Sequence, residues 1–252
     1  MSDFNRNVTA RGGFADRTAA VDAGLRTYML RVYNYMGAAV ALTGVVAWLC
    51  FQNAVVTNEA GAITGLTSFG QMILGGYTPI ILMLATLGLV FFISFRIHTL
   101  QYTTALALFM VYAALLGAAL TSIFVAYTGA SVARVFFISA ASFGALSLYG
   151  YTTQRDLSAM GSFLIMGLFG IIIASLVNIF LKSSGLDWAI SVIGVGVFAG
   201  LTAYDTQRIK EMYDSIDDDG TMGRKAVMGA LSLYLDFINL FMMLLRLVGD
   251  RR

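Results

Sequence analysis

The chain has 252 residues, of which 58% are hydrophobic and 12% charged, and its mean hydropathy is +0.78. A soluble domain carries about a quarter charged residues, so this composition excludes a soluble globule and indicates an all-α polytopic membrane protein. The continuous, non-alternating apolar runs exclude a β-barrel, a net charge of +2 gives no footing for a nucleic-acid partner, and a single cysteine, Cys50, rules out an internal disulfide.

The first 30 residues are polar, with Arg6, Arg11, Arg17 and Arg26 among them, and lack the apolar core of a secretory signal. Residues 1–30 therefore read as a cytosolic or interfacial segment, 31–248 as the transmembrane domain and 249–252 as a short tail. Leu25, Tyr28, Met29, Val32 and Tyr33 fall on one helical face, which predicts an amphipathic start on the inner leaflet. Seven apolar segments follow, at about 32–52, 79–97, 103–126, 132–152, 161–181, 187–209 and 227–247. Each is near the ~20 residues a helix needs to cross a bilayer. The second opens at Thr78-Pro79, a cap and a first-turn proline. Gly196-x-x-x-Gly200 in the sixth predicts a close helix contact.

Lysine and arginine set the orientation. With the N-terminus inside, 11 of the 16 basic residues lie on the cytoplasmic side, and Arg134, Lys182, Arg246, Arg251 and Arg252 lie outside. The basic tail fits less well: seven full crossings leave it outside, and a re-entrant seventh segment would return it to the cytosol. Trp48 and Trp188 fall at outer segment ends, as interface aromatics do.

Ionisable residues inside these spans are few, and each costs a few kcal/mol at a helix centre unless paired or solvated. Asp236 lies nine residues past Val227 and so roughly 14 Å deep. Asp205 lies one to two turns from the cytoplasmic end of the sixth segment. The sixth and seventh segments are consecutive and antiparallel, so the two aspartates come to similar depths and can meet. Two carboxylates in one dry site do not both ionise cheaply, and a proton is then held between them. Arg96 closes the second segment on the same side, with a guanidinium able to fork onto a carboxylate. Arg246 is ten residues past Asp236, roughly 15 Å along the helix, so it serves either as an interface anchor or at the outer mouth. The only histidine, His98, has no metal set around it. Asp217-Asp218-Asp219-Gly220 fails as a calcium loop, because Ser215 and Ala226 occupy positions that need acids.

The pentapeptide Tyr-x-Thr-Gln-Arg occurs twice, at Tyr151–Arg155 and Tyr204–Arg208, with Thr152 in the first copy where the second has Asp205. Both copies end apolar stretches on the cytoplasmic side, and Arg155 and Arg208 read as interface anchors.

The stretches GLRTYMLRVYNYM (24–36), GLTAYDTQRIKEMY (200–213) and LSLYLDFINLFMMLLRL (231–247) resemble the Bax inhibitor family, the transmembrane Bax inhibitor motif proteins. The similarity spans about Asp22 to Val248. It implies a seven-helix bundle and, from the bacterial members, a pH-sensitive calcium leak channel with no cofactor, calcium being the permeant ion. By position, the family's paired pH-sensing aspartates match Asp205 and Asp236, which are also the only buried oxygen ligands on offer for calcium. The basic latch on the second helix matches Arg96, and the arginine after the second aspartate matches Arg246. Some members carry an acid inside the second helix, and here Ile80 to Phe95 has none.

Three functions are consistent with these residues. In a proton-gated cation leak, Arg96 holds the ionised pair and acid loosens it. An intramembrane aspartyl protease also uses two aspartates sharing a proton, but its Gly-x-Gly-Asp is here Leu233-Tyr234-Leu235-Asp236, and the sole proline, Pro79, is misplaced for its Pro-Ala-Leu motif. The expectation is therefore a protein that is not an enzyme. A regulator of other membrane proteins, such as a quality-control protease, is the third. The N-terminal motif and the lack of an ER retrieval signal favour a bacterial inner membrane.

Overall fold

A computed structural model describes residues 22–58 and 62–252, and of residues 3–21 the helical backbone alone. Arg6, Arg11 and Arg17 of the basic N-terminal segment lie outside the described side chains. The elements are α1 (Asp3–Ala54), β1 (Val55–Thr57), β2 (Ile63–Leu66), α2 (Ser68–Leu74), α3 (Thr78–Arg96), α4 (Tyr102–Ala119), α5 (Thr121–Ala126), α6 (Gly129–Thr152), α7 (Ser158–Leu181), α8 (Ser184–Glu211) and α9 (Asp219–Val248). Seven helices are long and apolar enough to cross a membrane: Asp22–Ala54, α3, α4 with α5, α6, α7, α8 and α9. Each of the seven expected segments falls on one of them, and α6, α8 and α9 start a few residues before their apolar runs because Thr128, Ser183 and Asp218 cap them. The expected cap at Thr78 is not one, since Thr78 is already inside α3 and Tyr77 before it makes no side-chain capping bond. Asp218 caps α9, accepting from the amides of Gly220 and Thr221. That is what the acidic triplet does.

The helices are arranged around α9, which packs against α8, α1, α6 and α4; α3 rides on α4, and α7 on α8. In α9, 67% of the spanning window is buried, against 11% in α3 and in α7. Hydropathy alone does not separate these positions, since α3 and α7 are the most apolar spans. Lipid is the solvent for their outer faces, so Phe95 of α3 and Phe180 of α7 stand exposed at no cost in water. Association in lipid relies on close packing, and small residues permit it. A Cβ on Gly150 of α6 would lie 2.2 Å from the Ala203 carbonyl oxygen of α8. Gly196 meets nothing within 4 Å, so the predicted Gly-x-x-x-Gly face is not one contact: Gly200 packs on Leu164, and Gly196 looks into open space.

The face of Tyr28, Met29 and Val32 is present, but protein covers it. Tyr28 is 1% exposed and Val32 0%, and Tyr28 packs on the ring of Tyr213. These residues belong to the continuous helix α1 and the bundle core, rather than to a helix lying on the leaflet. The hydrophobic face was right; its partner is α9 and the α8–α9 turn.

The bundle has a basic end, where α3, α6 and α8 finish and α9 begins, and an opposite end. α9 is unbroken for 30 residues, about 45 Å, and delivers the tail to the opposite end. There the tail straps onto the α5–α6 turn. Thr128 N donates to Asp250 O at 3.1 Å, Arg252 N to Ala126 O at 3.0 Å, and Asp250 N to the Ser131 hydroxyl at 2.8 Å. The re-entrant alternative is thereby excluded. Trp48 and Trp188 are exposed near this same end. The β1–β2 hairpin and α2, which the apolar pattern does not announce, also sit here, α2 packing on α1.

Candidate functional site

α8 and α9 are antiparallel neighbours with a register that small residues fix. Gly229 receives Ile209, and Gly194 receives Met243. Those two contacts put Asp205 about one turn, ~5 Å, from the residue opposite Asp236. The side chains extend across that gap, and both carboxyls line the same cavity between the helices. An ionised carboxylate only accepts, so a bond between two of them requires a proton on one.

Asp236 is 5% exposed, and its Oδ2 has no hydrogen-bond partner among the described residues. The pair lines a cavity of about 290 Å³ between α7, α8 and α9. Ser232, Asp236 and Asn239 stand along one face of α9 in that cavity, with Tyr204, Asp205 and Arg208 opposite on α8. Asn239 gives its amide N–H to Leu235 O at 2.8 Å, which leaves its oxygen for the cavity. Among the described residues no group of three or more His, Cys, Asp or Glu side chains forms. Calcium takes six to eight oxygens; among the side chains lining this cavity, the two carboxyls, Ser232, Asn239 and Tyr204 carry oxygen.

The family model described as "Inhibitor of apoptosis-promoting Bax1" matches residues 25–252, nearly the whole chain.

The chain belongs to the Bax inhibitor family.

Its relatives in the family align over most of their lengths. "Inner membrane protein YbhL" of Escherichia coli (strain K12) is 49% identical over 232 residues, covering 91% of this chain and 94% of its own. "Uncharacterized protein RP147" of Rickettsia prowazekii is 48% identical over 257 residues, with both chains covered completely. "Uncharacterized protein YrjE" of Lactococcus lactis is 36% identical over 227 residues, 90% of this chain and 92% of its own.

Of the four site residues expected of this family member, the structure brings Asp205 and Asp236 together. It does not bring Arg96 to them. Arg96 is exposed at the end of α3 and makes no ion pair among the described residues. The cation beside the pair is Arg208, one turn along α8 from Asp205 and lining the same cavity. The physical reason is that α3 packs on α4 and not on α8 or α9, and residues 94, 97 and 98, not 96, face inward at its end. Arg246 is far from the pair. It bridges to Asp187 at 3.5 Å and ties the far ends of α8 and α9. Both partners are more than a third exposed, so the bridge contributes at most about 1 kcal/mol.

Sequence reasoning saw Arg208 only as an interface anchor and did not single out Ser232. The signal was present: Ser232, Asp236 and Asn239 are spaced four and three residues apart, which is one helical face, and Arg208 follows Asp205 by three.

Proposed function

We propose that this protein is a proton-sensitive cation leak of a bacterial inner membrane, with calcium as the permeant ion, a cytoplasmic N-terminus and no enzymatic activity. The observation that carries the reading is the facing pair of carboxyls, Asp205 and Asp236, in a cavity that also holds Ser232, Asn239 and Arg208; on this reading the pair shares a proton. Intramembrane carboxyls arranged this way are typical of ion and proton paths. The inner-membrane assignment follows the name of the Escherichia coli relative. The orientation follows the excess of Lys and Arg at the basic end.

The sign of the pH response comes from charge. Fully ionised, the pair holds two negative charges against one guanidinium and would retain a divalent ion. The shared proton removes one of those charges. Conduction needs binding strong enough to admit the ion and weak enough to release it. Acid therefore raises the leak, and alkali lowers it. Arg208 takes the counter-charge role first read for Arg96.

The test is calcium flux into dye-loaded liposomes across the neutral range. Wild type should leak several-fold faster on the acid side. Asp205→Asn and Asp236→Asn should each flatten the profile, since neither can share the proton in the same way. An unchanged slope in both variants rules out the pair as the sensor.

A further inference from the structure

A second cavity, of about 350 Å³, opens at the basic end between α3, α8 and α9. It is separate from the cavity of the aspartate pair except for one shared residue, Arg208. His98, Arg208, Arg224 and Lys225 line it, with the hydroxyls of Ser94 and Thr221, and no acid is among its walls. Ile97 and Met228 make an apolar floor.

The cations are not equally committed. Lys225 is bonded to Asp217 at 2.5 Å and is neutralised there. Arg208 and Arg224 form no ion pair among the described residues. Arg224 donates through Nη2 to the Thr221 hydroxyl at 2.8 Å, which holds its guanidinium at the cavity wall. The nearest remaining acid, Asp218, is occupied. The hydroxyl and amide of Thr221 and the amide of Gly220 hold its carboxyl below the usual carboxylate range, and its oxygens are turned to the start of α9. Two guanidinium forks free of direct ion pairs, the Ser94 hydroxyl and a histidine around one cavity form a site for a tetrahedral oxyanion.

We propose that this pocket binds a phosphate group, supplied by the headgroup of an anionic phospholipid. Its place favours lipid over soluble phosphate. The apolar run of α3 ends at Phe95, exposed on the outside, and the pocket begins with Ser94 and Ile97, so the site sits at headgroup level. Basic pockets between membrane helices are a recognised headgroup-binding arrangement. A headgroup here bridges α3 to α8 and α9, neighbours it does not otherwise pack on closely. It also engages Arg208, the guanidinium that faces Asp205.

The full chain in phosphatidylcholine nanodiscs, with increasing phosphatidylglycerol, gives the test. Native mass spectrometry counts the lipids retained. Wild type should keep one phosphatidylglycerol in preference to phosphatidylcholine. Arg224→Gln and, independently, Arg208→Gln should each weaken that preference by roughly fivefold. Arg155→Gln removes an exposed arginine at the same end but outside the pocket, and should leave the preference intact. Thermal unfolding confirms that each variant is folded. Equal losses in Arg155→Gln and Arg224→Gln mean general surface attraction and overturn the pocket. Inorganic phosphate titrated into phosphatidylcholine-only nanodiscs separates the sources. Phosphate binding that Arg224→Gln abolishes, without any phosphatidylglycerol preference, keeps the phosphate chemistry and overturns the lipid source. No retention and no phosphate binding overturns both.

Discussion

The two copies of Tyr-x-Thr-Gln-Arg have nearly the same sequence and opposite fates. The first ends a helix: α6 stops at Thr152, whose hydroxyl bonds back to Leu148 O at 2.8 Å, and Gln154 and Arg155 stand in an exposed turn. The second lies inside a helix, since α8 continues to Glu211. There the first four residues each have a protein partner, and the fifth borders two cavities. Tyr204 packs on Gly161, Asp205 faces Asp236, Thr206 reaches Ser147, and Arg208 lines two cavities. Gln207 clamps the turn formed by the first copy, accepting from Leu157 N at 2.9 Å and donating to Arg155 O at 2.8 Å. The difference teaches that burial, not the motif, assigns the roles. α8 is enclosed by α6, α7 and α9, and an enclosed helix must satisfy each polar group with protein.

The sharpest way to break the comparison is to separate the two helices where equivalent residues touch. Gly150 precedes Tyr151, Ala203 precedes Tyr204, and these two meet backbone to backbone. Gly150→Ala forces a methyl against the Ala203 carbonyl, and neither backbone can yield locally. The expected cost is about 3 kcal/mol, with α8 displaced and the Asp205–Asp236 contact strained. Gly196→Ala, in open space on α8, should stay within about 0.5 kcal/mol of wild type. Reversible unfolding in mixed micelles measures both, and similar costs would show that the α6–α8 crossing is not tight.

The next largest effect compares the two glutamines. Gln207→Leu orphans the Leu157 amide and the Arg155 carbonyl in a buried turn, which costs about 2 kcal/mol. Gln154→Leu removes an exposed side chain that makes no hydrogen bond among the described residues, and should change stability by less than about 0.5 kcal/mol. Equal values would mean that water replaces the clamp.

The sequence carried most of this fold and half of the site. The seven spans are legible because bilayer thickness imposes a length, and only their boundaries moved. Asp205 and Asp236 are legible because an acid in an apolar run stands out and hairpin-linked helices share depth. What was not legible depends on who neighbours whom. Arg96 and Arg208 look alike as cations at the ends of spans, and only the packing of α3 on α4 puts one outside and the other beside the pair. Tyr28 and Val32 look like a lipid-surface face until α9 covers them. Which apolar helix is central is invisible to hydropathy, because lipid and protein interior are equally apolar to a leucine.

The smallest expected difference is between the two threonines, and it isolates burial from chemistry. Thr206 donates to Thr202 O at 2.7 Å, which uses its only proton. The Ser147 hydroxyl, 2.9 Å away, must then donate to Thr206, and Tyr33, at 2.7 Å, must donate to Ser147. The relay runs one way, from α1 through α6 into α8. Thr206→Val keeps the shape and breaks the last two steps, leaving the Ser147 proton without this acceptor. Hydrogen bonds between membrane helices average about 0.6 kcal/mol, and a broken relay should cost between that and about 1 kcal/mol. Thr153→Val, at the matching position of the first copy, removes only an exposed bond accepted from Arg155 N at 3.2 Å and should be close to neutral. Unfolding of the two valine variants, measured side by side, decides the point. A cost at Thr153 matching that at Thr206 would mean that the motif itself carries the stability, and that enclosure of the second copy adds nothing to it.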